Sequence, residues 1–266
     1  MNLMSIKKMT FAICIALSIT SCSTSPTGRS QIKFFPKDQL NAMGVQAFDQ
    51  MKKEQKISTR RVDNQFVQCV ARYITDQVPK TDFNGQWEVV VFDEPQVNAF
   101  ALPGGKIGVY KGLLNVAENQ HQLAAVIGHE VGHVIAEHGN QRMSSDALIG
   151  AGLQITSAIL QTRQGANNQR LMSALGLGAQ VGLQLPFGRA HESEADEIGL
   201  KLMAEAGFNP EESVLLWINM DKASGGAKQP EFLSTHPHPS TRIEQLQALM
   251  PGASATYRRS AVKPNC

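Results

Sequence analysis

No sign of charge dominates this 266-residue chain: 25 lysines and arginines face 23 aspartates and glutamates. Two of the basic residues, Lys7 and Lys8, lie in the first 21 positions, which hold no acid, so the remainder carries 23 of each sign. A formal charge near zero argues against nucleic acid as a partner, because phosphate backbones are held by a surplus of cationic side chains. Pairs such as Arg60-Arg61 and Arg258-Arg259 read as solvated surface. Long apolar runs are missing as well. The segments Leu148 to Leu160 and Leu171 to Leu185 are short and broken by Gln154, Thr162, Arg163, Gln180 and Gln184. Neither matches the roughly 20 apolar residues of a bilayer span, so both read as packed helices. There is no repeat array. Only four cysteines occur, and Cys69 and Cys266 lie too far apart in sequence to make a local metal-binding pair.

What the chain does have is His129-Glu130-Val131-Gly132-His133. Residues four apart on an α-helix share one face, so two imidazoles at this spacing can reach one ion from a rigid element. Leu123, Val126, Ile127, Val131 and Val134 recur at helical spacing around them. Glu130, one residue round the helix, suits a base that takes a proton from an attacking water. Gly128 and Gly132 cost helix propensity but let another backbone or a substrate come close. A third ligand from a histidine ten residues after His129, with a glycine at seven, is excluded: those positions hold Gly139 and Ala136, and His138 falls one residue short. The other source is the acidic stretch Arg189 to Gly199, where Glu192 and Asp196 stand four apart and can face the first helix together. Glu194 competes with Glu192, but no acid follows it four residues on; Glu197 reads as solvated.

A His-Glu-x-x-His motif followed on a later helix by Glu-x-x-x-Asp resembles the zinc metallopeptidases that include the CAAX prenyl proteases and the HtpX heat-shock protease. Two further stretches fit: Asn98-Ala99-Phe100-Ala101 with its Leu102-Pro103-Gly104-Gly105 turn, and Ser234 to Pro239 with Arg242. The resemblance runs from about Leu40 to Leu249, and within the family it is nearest to periplasmic lipoprotein members such as LoiP and the core of the β-barrel assembly-enhancing protease. The tetratricopeptide array of the latter has no counterpart after Leu249. The resemblance implies one Zn2+ per chain held by His129, His133 and Glu192, with Glu130 as base and Asp196 as proton donor or support. His236 and Arg242 would serve the oxyanion, or His236 would occupy the open metal position. Asn98, Ala99, Phe100 and Ala101 would pair with substrate as an edge strand. The fold implied is a single α+β zincin-like domain, mostly helical with a small sheet.

The first 21 residues read as an address. Lys7 and Lys8 precede the apolar run Met9 to Ile19, and Ile19-Thr20-Ser21-Cys22 looks like a bacterial lipobox. That likeness implies lipid on Cys22 and, with Ser23 following, the periplasmic face of the outer membrane. Residues 22–37 then form a lipidated tether, 38–250 the peptidase domain and 251–266 a tail. In such a compartment Cys69 and Cys266 could bridge. Helices are expected over Asp38 to Gln55, Arg61 to Gln77, a metal helix ending near Gly139, Pro210 to Lys222, and Ser240 to Leu249. Strands are expected over Trp87 to Phe92 and in a hairpin from Asn98 to Val109. The function expected is an endopeptidase degrading misfolded or misassembled envelope proteins. The alternative is a chaperone-like binding protein whose zinc is structural, against which the intact Glu130 argues, since a structural site needs no base. Prenyl-protein processing is disfavoured for want of membrane spans.

Overall fold

Apolar spacing and capping decide where the helices of this protein begin and which face they bury. The computed structural model describes residues 22–161, 185–223, 236 and 239–266. A small hairpin comes first, β1 (Cys22–Thr24) antiparallel to β2 (Ser30–Ile32). It is followed by α1 (Lys37–Glu54) and α2 (Arg61–Thr75), whose Val67, Val70, Ala71 and Ile74 are buried at helical spacing. A three-stranded sheet follows, built from β3 (Glu88–Phe92), β4 (Ala99–Leu102) and β5 (Lys106–Tyr110). Its order is β3-β5-β4, with β5 parallel to β3 and antiparallel to β4. The turn between β4 and β5 needs Gly104 and Gly105, both at positive φ (85° and 73°). β4 is thus an edge strand, and β5 leads through a short 3-10 turn into the helix that carries the histidine pair.

That helix, α3 (Gln120–Ile135), is capped by Asn119, whose side-chain oxygen accepts from the backbone N–H groups of His121 and Gln122 at 2.9 and 3.0 Å. Leu123, Val126, Ile127 and Val131 sit in the main core, while His129, Glu130 and His133 are buried on the same helix. The other helices are α4 (His138–Gln161), α5 (Leu185–Glu205), α6 (Glu212–Ala223) and α7 (Pro239–Arg259). α3 and α5 meet along glycines. A methyl group on Gly128 would lie 2.9 Å from the Gly199 carbonyl oxygen, and one on Gly132 would lie 2.9 Å from that of Ala195. The close approach expected of Gly128 and Gly132 is therefore made by the backbone of α5. A second, smaller cluster of Phe48, Phe92 and Tyr110, with Phe100 packed on it, joins α1 to the sheet. The α+β class, mostly helical with a small sheet, is as expected.

Three local features differ from what the sequence suggests. The segment read as a tether contains the β1–β2 hairpin, fixed to the body because Arg29 pairs with the buried Glu194 of α5 at 2.7 Å. No local composition reports a partner 165 residues away. The metal helix stops at Ile135 rather than near Gly139, because Glu137 takes the left-handed conformation (φ 53°) and α4 starts at His138. The last helix runs through Pro251 to Arg259, ten residues beyond Leu249. There Leu246, Ala253 and Tyr257 pack on the core, and this burial outweighs the hydrogen bond a mid-helix proline removes. The tail is then held by a Cys69–Cys266 disulfide and by Gln120, whose side chain donates to Pro264 and accepts from the Cys266 N–H. No described helix is long and apolar enough to cross a membrane; positions 171–184, read as a packed helix, lie outside the described residues.

Candidate metal centre

Four buried side chains from three parts of the chain converge at the α3–α5 seam: His129 and His133 from α3, Glu192 from α5, and His236. One donor atom from each lies within 4.8 Å of the other three. His129 Nε2 is 3.0 Å from His133 Nε2 and 3.3 Å from Glu192 Oε2, and Glu192 Oε1 is 3.4 Å from His133 Nε2. His236 Nδ1 stands 2.9 Å from Glu192 Oε2 and 3.2 Å from His129 Nε2. Imidazole nitrogens and carboxylate oxygens facing one another at this range form a donor set that a single cation can share. Three imidazoles and a carboxylate suit zinc, which takes nitrogen and oxygen ligands in a tetrahedral set.

The surroundings orient these donors. Asp196 Oδ1 lies 3.0 Å from His129 Nδ1, which turns Nε2 toward the cluster. Arg242 forks onto Asp196, with Nε 2.7 Å from Oδ2, and reaches Glu192 Oε2 with Nη1 at 3.1 Å. Its guanidinium lies 3.7 Å from the Trp217 ring centroid, a stacked cation–π contact. The arginine expected at the oxyanion is thus engaged behind the cluster, on the carboxylates and an indole. Glu194, the competing carboxylate, is likewise spent elsewhere: its Oε2 is 3.1 Å from His138 and its oxygens take Arg29 and Thr27. Ser234, Thr235, Pro237 and His238 of the late motif lie outside the described residues.

Electrostatics follow from this packing. Burial works against charge on His129, and so does Arg242, but Asp196 and Glu192 outweigh them and raise its pKa to about 9. The proton so attracted marks a place that favours positive charge. His133 is held well below the ordinary value by burial and by the charge on His129. For Glu192 burial acts upward, yet His129 and His236 hold the carboxyl far below its usual range. Burial also opposes ionisation of Asp196, and Arg242 and His129 reverse it.

Glu130 sits between the cluster and the sheet edge. Its Oε1 is 3.3 Å from His236 Nε2, and its Oε2 accepts the Ala101 N–H at 3.3 Å. That amide therefore points away from β5, out of the open edge of β4. Beside it lies a cleft of about 470 Å³, lined by Leu40, Met43, Leu102, Val134 and Met143 and floored by Glu130 and His133. Asn98 accepts the Tyr110 N–H through its carbonyl and caps Ala99 with its side chain, while Phe100 packs on Phe48. Local sequence marks no role for Trp217, Arg29 or Thr27. The indole reads as ordinary core, and nothing near Arg29 or Thr27 in sequence signals their contact with Glu194.

The profile of peptidase family M48 matches residues 59–250. The mitochondrial metalloendopeptidase OMA1 of Schizosaccharomyces pombe is 37% identical over 176 residues, which is 66% of this chain and 50% of that protein. The OMA1 metalloendopeptidase of Bos taurus is 31% identical over 261 residues, 90% of this chain and 48% of the relative. The β-barrel assembly-enhancing protease of Escherichia coli is 29% identical over 160 residues, 58% of this chain and 32% of the relative. The chain spans about half the length of the mitochondrial relatives it matches. These likenesses overturn the expected location at the bacterial outer membrane: the relatives that match up to 90% of the chain carry mitochondrial names. The expectation rested on a few residues around Cys22, and short cationic-apolar leaders are common to address segments of several kinds. Positions 1–21 lie outside the described residues, and Cys22 enters the fold as the first residue of β1. The matched stretch holds every landmark on which the resemblance rests, from the sheet edge through both helices of the cluster to Arg242, and the chain belongs to peptidase family M48.

Proposed function

We propose that this protein is a zinc-dependent endopeptidase that cleaves extended segments of misfolded or misassembled polypeptide. In this reading one Zn2+ is held by His129, His133 and Glu192, Glu130 is the base, and Asp196 orients His129. The observation that carries it is the placement of Glu130, whose carboxylate spans from the donor cluster to the outward amide of Ala101. When bound, zinc supplies Lewis acidity that polarises the scissile carbonyl and acidifies water. Along Asn98, Ala99, Phe100 and Ala101, the residues whose main chain turns away from β5, Ala99 and Ala101, offer pairing that accepts varied sequences as a quality-control protease requires, while Asn98 and Phe100 pair with β5. Glu130 takes the proton from the attacking water and passes it to the departing amine. His236, the fourth donor of the cluster, would close the resting site, and substrate entry would then have to displace it. Arg242 holds Glu192 and Asp196 in place.

A second reading has one observation behind it. Four protein donors are what a structural zinc site uses, and His236 supplies the fourth. Unfolded casein separates the two. Glu130→Gln should keep about one zinc per chain and lose cleavage, whereas His133→Ala should lose both. Robust cleavage by zinc-loaded Glu130→Gln would refute the assignment of the base, and binding of casein without cleavage by the native protein would favour the structural site.

A further inference from the structure

His129 and His133 are oriented by different means. His129 meets a carboxylate directly, but the Nδ1 of His133 meets another imidazole, with His138 Nδ1 at 2.8 Å. A neutral imidazole carries a single N–H. If Nε2 of His133 is a ligand atom, its proton is on Nδ1 and is donated to His138. His138 then accepts at Nδ1 and must carry its own proton on Nε2, which lies 3.1 Å from Glu194 Oε2. Glu194 is fixed as the acceptor from the opposite side. Arg29 donates to its Oε2 from Nε at 2.9 Å and from Nη2 at 2.7 Å, and the Thr27 hydroxyl donates to Oε1 at 2.6 Å. His138 and Glu194 are 1% and 4% exposed, so water does not compete for these bonds. The His191 ring stacks on His138 with centroids 4.4 Å apart, and Gln141 Oε1 receives Arg29 Nη2 at 2.7 Å.

We propose that His138, Glu194 and Arg29 are positioning residues that fix the tautomer and ring plane of His133, so that the β1–β2 hairpin holds the metal site in register from outside the α3–α5 seam. This rests on the reading of His133 as a metal ligand. Outer partners of ligating histidines tune metal affinity by about 10–100-fold. Each link here has one donor and one acceptor, so losing the anion at the end frees every ring before it.

The test is zinc affinity of the full chain, measured by competition with a chromophoric chelator, alongside melting of the metal-free protein. Glu194→Gln and Arg29→Met should each weaken zinc by about 10–100-fold, and Arg29→Lys should recover part of the loss because it can still donate to Glu194. Lys33→Met serves as the control. It breaks the Lys33–Glu137 pair of the same hairpin segment at 2.8 Å without touching the chain to His133, and should leave affinity within about twofold. Affinities within about twofold of native for both Glu194→Gln and Arg29→Met, with native zinc binding tight, would overturn the inference alone. So would equal weakening by Lys33→Met, which would mark a general loss of stability. A native chain that binds no zinc would instead sink the metal reading and this inference with it.

Discussion

Replacing Gly199 by alanine tests whether the seam between α3 and α5 sets the geometry of the metal centre. A methyl group there would lie 2.6 Å from the backbone nitrogen of His129, 2.8 Å from the Gly128 carbonyl carbon and 2.9 Å from His129 Cα. All three are backbone atoms of α3, so no side-chain rotation relieves the clash. Ordinary contact starts near 3.4 Å, so the helices must part by about 0.8 Å at this point. Metal sites tolerate deviations of only about 0.2 Å in ligand distance, and His129 and Glu192 lie on opposite sides of the seam. Overpacking of this kind costs about 1–3 kcal/mol. In a domain of this size each kcal/mol lowers Tm by roughly 2–4 °C, giving a drop of about 2–12 °C for the metal-free protein. Zinc affinity should fall further than stability, on the order of 10–100-fold. Gly132→Ala, with its nearest backbone contact at 2.9 Å, should show the same effects at smaller size. Gly252→Ala, with nothing within 4 Å on α7, should be neutral or slightly stabilising. Differential scanning fluorimetry and chelator competition read both quantities. A Gly199→Ala protein with native Tm and native zinc affinity would show slack in the seam and refute the reasoning.

Three further outcomes are expected. His236→Ala should raise kcat on casein if the ring closes the resting site, and lower it if the ring serves the oxyanion; unchanged activity would remove both roles. Ala101→Pro should raise KM or abolish cleavage while zinc content stays native, because it removes an outward N–H and spares the ladder to β5; native kinetics would exclude docking along β4. The metal-free protein should lose stability on both sides of neutrality. Glu192, Glu194 and Asp196 are depressed from 4.5, 4.5 and 3.8, so the unfolded chain binds more protons than the folded one, and their contribution disappears as pH falls below about 4.5. His129 has the opposite sign: raised from 6.5 to about 9, its contribution is full below 6.5 and is lost as pH rises through 9. A Tm flat from pH 3 to 9.5 would contradict both assignments.

Local periodicity makes much of this protein legible in its sequence. The spacing of His129 and His133 follows from 3.6 residues per turn, and that of Glu192 and Asp196 follows likewise, so which residues could share a helix face was readable from sequence. The same holds for the Pro103-Gly104-Gly105 turn, whose positive φ angles only glycine adopts freely, and for the buried face of α2. The helix ends were less legible. Pro251 lies inside a helix and Gly139 does not end one, because packing of Leu246 and Ala253 and a left-handed Glu137 decide those points.

What only the tertiary structure decided is who meets whom across the seam. Glu192 and Glu194 are two residues apart on one helix, and about 100° per residue of helical twist turns them to different partners. Glu192 faces His129, and Glu194 faces His138 and Arg29. Arg242 could be matched to a family position by sequence, but its contacts with Asp196 and Trp217 depend on where α7 and α6 come to rest. Local sequence carries rotation and rise along each element, and those fix a face. Contacts between elements far apart in the chain depend on how their glycines and apolar side chains fit together, and that fit exists only once the chain has folded.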